Sequence, residues 1–193
     1  MSGSKQRPDR NIQFDREKFL AAIHHIIEHC SDRPEVLGKT KLHKCLYYSD
    51  MLNFFITGEP LTGVDYIKAP YGPTARYLEW GLRELSSRGF ISCEMEEYFG
   101  LGKYRYLSLR PTCSGGLTDR EKGLLDEVTA FVCEHSAREI SEFSHSQPWQ
   151  DAQMGERIPY SSAYQLVPET APTQADLDWA SDQADSVMRY RRA

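Results

Sequence analysis

From Lys39 to Thr57 the chain carries two apolar stripes at helical spacing. Leu42, Cys45, Leu46, Leu52 and Ile56 form one stripe, and Tyr48, Met51 and Phe55 form the other. Beyond its first turn such a helix is apolar over most of its circumference, so it belongs in the middle of a domain. Gly58 stops it.

Other elements must therefore cover it, and the flanking sequence supplies them. Asp15 is a good N-cap for a first helix, with Phe14 and Phe19 placed as a hydrophobic staple. Phe19, Ile23, Ile26, Ile27 and Cys30 give that helix its apolar face, and Pro34 and Gly38 mark the connection that follows. After Gly58, Glu59 to Gly63 is turn chemistry and Val64 to Lys68 a short strand. Pro73 suits the first position of a third helix, where its missing N–H costs nothing. Ala75, Leu78, Leu82 and Leu85 are its buried face and Gly89 its end. Phe90 to Phe99 and Lys103 to Leu109, joined by Gly100-Leu101-Gly102, read as a β-hairpin.

The last third is helical again. Thr118 with Glu121 and Ser136 with Glu139 are capping boxes. The first opens a helix with Leu124, Leu125, Val128, Phe131 and Val132 on its face; the second leads to Ile140 and Phe143. Pro148-Trp149 starts a short helical turn predicted to stop at Gly155. The fold class expected is mainly α with a small β-hairpin (α+β), one compact helical domain over residues 14–166. Residues 1–13 are polar around a lone Ile12 and are expected to be disordered. Residues 167–193 are expected to be a linker and a C-terminal helix. Thr173 to Asp176 is a third capping box, and Leu177, Ala180, Ala184, Val187 and Met188 point inward.

Composition narrows the function classes. A net charge of −5 argues against a chain that coats nucleic acid, which needs a basic surface. No apolar run approaches the ~20 residues that span a bilayer, so no membrane partner is expected. Met1 to Phe14 lacks the apolar stretch of a secretory signal. Five cysteines without a C-x-x-C spacing read as reduced thiols of a cytoplasmic protein.

No reaction chemistry emerges. A helix followed by a hairpin is also the layout of a winged helix. Glu79 and Glu84 nevertheless interrupt Arg76, Arg83 and Arg88, and Glu94, Glu96 and Glu97 line the hairpin with the wrong sign for a phosphate backbone. His25 and His29 stand one helical turn apart, but Ile26 occupies the place of the glutamate in H-E-x-x-H. His24, His25 and His29 are expected to line the edge of a surface helix. Cys113 has no base tied to it, and Gly115-Gly116 lacks the lysine of a phosphate loop. Nothing calls for a metal or a cofactor, and the chain does not read as an enzyme. The many tyrosines and tryptophans are expected to wall the core with their hydroxyls in water, a few of them serving an interface.

One ordered series of motifs stands out. Lys41-Leu42-His43-Lys44-Cys45-Leu46-Tyr47-Tyr48-Ser49-Asp50 is followed by Gly58-Glu59-Pro60-Leu61-Thr62-Gly63 and by Tyr71-Gly72-Pro73. Leu117-Thr118 through Val128, Ile140 to His145, Pro148-Trp149 and Gly155 to Tyr160, including Pro159, complete it. The series resembles the Panacea (SocA-like) domain over roughly residues 15–166. The resemblance implies a bacterial or phage protein, mostly helical, encoded beside a toxin and acting as an antitoxin by direct protein binding. It also implies alternatives: a proteolytic adaptor delivering the toxin to a AAA+ protease, or a DNA-binding regulator. Homo-oligomerisation is left open. Lys41, Leu42, Lys44, Asp50, Gly72, Pro73, His145, Pro148 and Pro159 are expected to hold the fold, with His145 charged at a helix end. Tyr48, Tyr71, Trp80 and Trp149 are the candidate contacts to a cognate protein toxin.

Overall fold

The computed structural model describes residues 12–98, 101–112 and 116–166. Six helices surround two small antiparallel sheets among these residues. Helix α1 (Arg16–His29) starts where Asp15 accepts a hydrogen bond from the Lys18 N–H, and Phe14 meets Phe19 edge-on at 5.3 Å. After a 3-10 turn at Pro34–Val36 comes α2 (Lys39–Thr57), closed by Gly58 in the left-handed conformation.

The middle of the chain departs from expectation. Tyr71-Gly72-Pro73 does not open a helix. Tyr66–Ala69 (β1) and Gly72–Ala75 (β2) pair as a tight hairpin with Ala69 opposite Gly72, and Arg157–Ile158 (β5) adds a third strand to β1. Pro73 is tolerated because β2 is an edge strand, where a missing N–H removes no ladder bond. Helix α3 begins only at Leu78 and runs to Ser87; Ala75 is buried as expected, but from the strand.

Strands β3 (Ile91–Tyr98) and β4 (Leu101–Ser108) form the expected hairpin, with Ile91 opposite Ser108 and Glu94 opposite Arg105. Both capping boxes are present, opening α4 (Asp119–Glu134) and α5 (Ala137–Phe143). Helix α6 (Gln147–Asp151) ends four residues before Gly155, which supplies a positive-φ turn instead of a helix stop. A second 3-10 turn, Tyr160–Gln165, follows β5. The third capping box, the C-terminal helix, Cys113 and most of the N-terminal segment lie outside the described residues.

Helix α2 is the central element. Its residues Lys41 to Tyr47 and Ser49 to Met51 are buried, and α1, α4, α5, β2 and the second 3-10 turn pack on it. Phe19, Ile23, Ile26, Leu42, Leu125 and Ile140 are all fully buried around it. Burying each such side chain contributes about 1.5–3 kcal/mol. The last turn of α2 behaves differently, because Phe55 and Ile56 are exposed. Several tyrosines are also more enclosed than expected: Tyr47, Tyr66, Tyr106 and Tyr160 are buried, and Tyr160 donates to Val64 O at 2.8 Å inside the core. No helix among the described residues is long and apolar enough to cross a membrane.

Candidate partner-binding site

The motif residues assemble into a clamp around the β1–β2 hairpin. Lys44, on α2, is almost completely buried, and its ammonium Nζ donates to Pro73 O at 2.9 Å. Burial pulls its pKa down to about 7, because the interior disfavours the charged form. The preceding residue, His43, accepts the Ala75 N–H at Nδ1, at 3.1 Å. Burial, with help from Lys44 and Lys39, lowers its pKa to about 3, so His43 stays a neutral acceptor. From the other side, Ser141 Oγ of α5 donates to Tyr71 O at 3.0 Å. Gly72 lies between the two helices at φ 95°, where a Cβ would collide with Ser144 Oγ and come 2.5 Å from Lys44 Nζ. Only glycine meets both demands.

A second clamp lies behind the first. Asp50 is fully buried and accepts from Thr62 N (2.7 Å), Thr62 Oγ1 (2.6 Å) and Tyr66 OH (2.7 Å). Its pKa is raised by desolvation, which outweighs these donors. Asp50 thereby ties the Leu61-Thr62 turn and β1 to the middle of α2. Leu42 is a core residue, and Pro159 leads β5 into the last 3-10 turn. Lys41 reaches Cys133 O at 3.3 Å, a cation at the C-terminal end of α4 where the helix dipole favours it.

The hairpin so held presents Tyr71 at its tip, 72 % exposed. Trp149 of α6 sits beside it, half-buried, its indole N–H donating to Ala69 O at 3.0 Å. Pro148 is buried in the first turn of α6. Lys68 lies over the Trp149 ring at 4.1 Å and donates to Ala152 O at 2.9 Å. His145 stacks on the indole, with centroids 3.9 Å apart and planes 18° from parallel. The helix end does not raise the His145 pKa as expected: burial first, and then Lys44, lower it. Next to Tyr71 a cavity of about 310 Å³ opens beside the first turns of α2, bordered by Lys39, Thr40, His43 and Thr74.

The four candidate contacts do not form one patch. Tyr71 and Trp149 belong to the same hairpin region, Tyr71 at the tip and Trp149 bonded to Ala69 O. Trp80 belongs to α3, where Arg16 covers its ring at 4.8 Å. Tyr48 lines a separate apolar groove of about 570 Å³ between α2, α4 and α5. Met51, Leu52, Phe55, Leu124, Phe131 and Phe143 line this groove too, and Phe131 and Phe143 are 41 % and 61 % exposed. Sequence reasoning missed the groove because it counted Phe55, Phe131 and Phe143 as inward-facing. It missed Lys68 as well, since only the fold brings that residue over Trp149.

The remaining candidates resolve structurally. His24 is buried against Ser108 Oγ and Arg110 O, contrary to a surface position. His25 Nε2 and His29 Nδ1 each lie 2.8 Å from Oδ1 of Asp126, so a carboxylate joins them. Cys30 and Cys133, far apart in sequence, have sulfurs 3.7 Å apart. No group of three metal-ligating side chains occurs among the described residues.

Fold and site together define a helical domain built around a buried central helix, with a clamped hairpin presenting an aromatic face. The family model described as antitoxin SocA-like, Panacea domain, matches residues 42–150. The chain belongs to that family, and the matched span covers the clamp from Leu42 through Trp149. No curated protein and no solved structure matches the chain.

Proposed function

We propose that the protein is the antitoxin of a toxin–antitoxin pair and neutralises its cognate toxin by direct binding, with Tyr71 and Trp149 as anchors. Membership of an antitoxin family supports the antitoxin role in general. The observation that carries the binding face is the exposed Tyr71 ring on a backbone held by Lys44, Ser141 and Trp149. A ring presented on an immobilised hairpin loses little freedom on binding, which is what makes an aromatic anchor effective. Neutralisation requires about 800 Å² of contact per partner, so the two rings are the centre of a larger footprint. Lys39 and Lys68 border the face, and a toxin surface with acidic side chains or exposed carbonyls is its complement.

The test is co-expression with the product of the adjacent gene, reading growth rescue and co-purification for the full chain and for Tyr71→Ala. Rescue with a stable complex, lost in Tyr71→Ala, is the expected result. Rescue without a complex, accompanied by a shortened toxin half-life, would replace this reading with that of a proteolytic adaptor.

A further inference from the structure

The apolar groove has a property that the clamp lacks: Leu166 lines it, and the sequence runs on from there to Ala193. Leu166, the last described residue, is one of the groove's lining residues, together with Ala163 of the preceding 3-10 turn. The sequence then continues with Val167 to Pro172 and with a stretch whose apolar residues, Leu177, Ala180, Ala184, Val187 and Met188, recur at helical spacing. We propose that this C-terminal segment is the occupant of the groove, docking its apolar stripe between α2 and α4 as a tethered helix.

Three observations carry the assignment. The first is reach. Six residues span at most about 20 Å when extended, and they start at the groove's own rim, so the stripe is delivered to it from any linker geometry that folds back. The second is length. Leu177 to Met188 as a helix rises about 16 Å, enough to cover the two turns of α2 from Tyr48 to Phe55 and those of α4 from Leu124 to Phe131. The third is shape and charge. Phe131 and Phe143 protrude into the groove, and Ala180 and Ala184 leave room for such rings against the docking helix. Glu127 is the one charged side chain among the described lining residues, matching a stripe that carries no charge. Exposed apolar faces of this kind are covered in most soluble proteins. Tethering makes the covering intramolecular, with an effective concentration no free partner reaches at ordinary levels.

The consequence is that the groove is not a free docking surface in the resting chain, which leaves the Tyr71 face for the partner. The inference does not depend on the antitoxin reading, because its test contains no toxin. Hydrogen exchange of the full chain at several protein concentrations reads the amides of residues 177–188 directly. The expected result is slowing of about tenfold or more over free-peptide rates, independent of concentration, and lost in Phe131→Asp. A groove-binding dye, anilinonaphthalene sulfonate, gives the converse reading. Its fluorescence rises severalfold in Leu177→Asp/Val187→Asp, a double substitution outside the domain core that leaves the core's circular dichroism unchanged. Free-peptide exchange at 177–188 in the native chain, or unchanged dye binding in the double variant, would overturn the proposal. Slowing that grows with concentration would overturn it in favour of a second copy as the occupant.

Discussion

The clamp and the groove sit on opposite halves of the same helix and are built from opposite materials. Along the first half of α2, Lys41, His43 and Lys44 are buried polar groups that hold backbone: Cys133 O, the Ala75 N–H and Pro73 O. Along the second half, Tyr48, Met51, Leu52 and Phe55 are apolar groups that border open space. The clamp is where the family motifs concentrate, yet most of those residues are hidden and cannot touch a partner. The groove bears few motif residues and exposes its rings. Motifs in this chain therefore mark what positions a surface, and the surface itself, Tyr71 above all, is one step further out.

Four substitutions sharpen or break that contrast. Gly72→Ala has the largest expected effect. It combines a left-handed φ with a collision against Ser144 and Lys44, and should destabilise by about 3–5 kcal/mol in urea unfolding. Asp50→Ala comes next, at about 3 kcal/mol, because it leaves the Thr62 and Tyr66 donors buried without an acceptor. If either change is tolerated within ~0.5 kcal/mol, the clamp does not hold the hairpin.

Lys44→Met tests the electrostatics through pH. Unfolded, the amine titrates near 10.5; folded, near 7. Between those values the unfolded chain binds the extra proton, so native stability rises with pH. Below about pH 7 the cost of the buried charge is fully present. Lys44→Met should therefore gain on the native chain by about 4 kcal/mol at pH 6 relative to pH 10, read as thermal unfolding at both values. A difference that is flat with pH would mean that Lys44 keeps its charge without penalty. The smallest effect belongs to the groove: Phe143→Ala, at a side chain 61 % exposed, should change stability by less than about 1 kcal/mol.

The contrast also explains what the sequence made legible. Asp15, Thr118 with Glu121, and Ser136 with Glu139 act on backbone three residues away, so their helix starts are written locally. The central position of α2 followed from its two stripes. The Tyr71-Gly72-Pro73 segment was misread because proline suits a first helical turn and an edge strand equally well. What decides between them is contact with Lys44 and Ser144, 28 and 72 residues from Gly72. His145 failed for the same reason: its position after α5 suggests a favourable helix dipole, but burial and Lys44 act more strongly. Of the candidate contacts, Trp149 is brought to the hairpin that carries Tyr71 by its bond to Ala69 O, which no spacing announces.

The most direct test of the account compares two full-chain variants for affinity to the cognate toxin, with thermal unfolding as a control on both. Tyr71→Ala should weaken binding by about 30-fold or more, an anchor loss of ~2 kcal/mol, while its unfolding temperature stays that of the native chain. Phe131→Ala should bind within about threefold of native. Native-like binding by Tyr71→Ala, together with loss of binding in Phe131→Ala, would contradict the account and move the toxin into the groove.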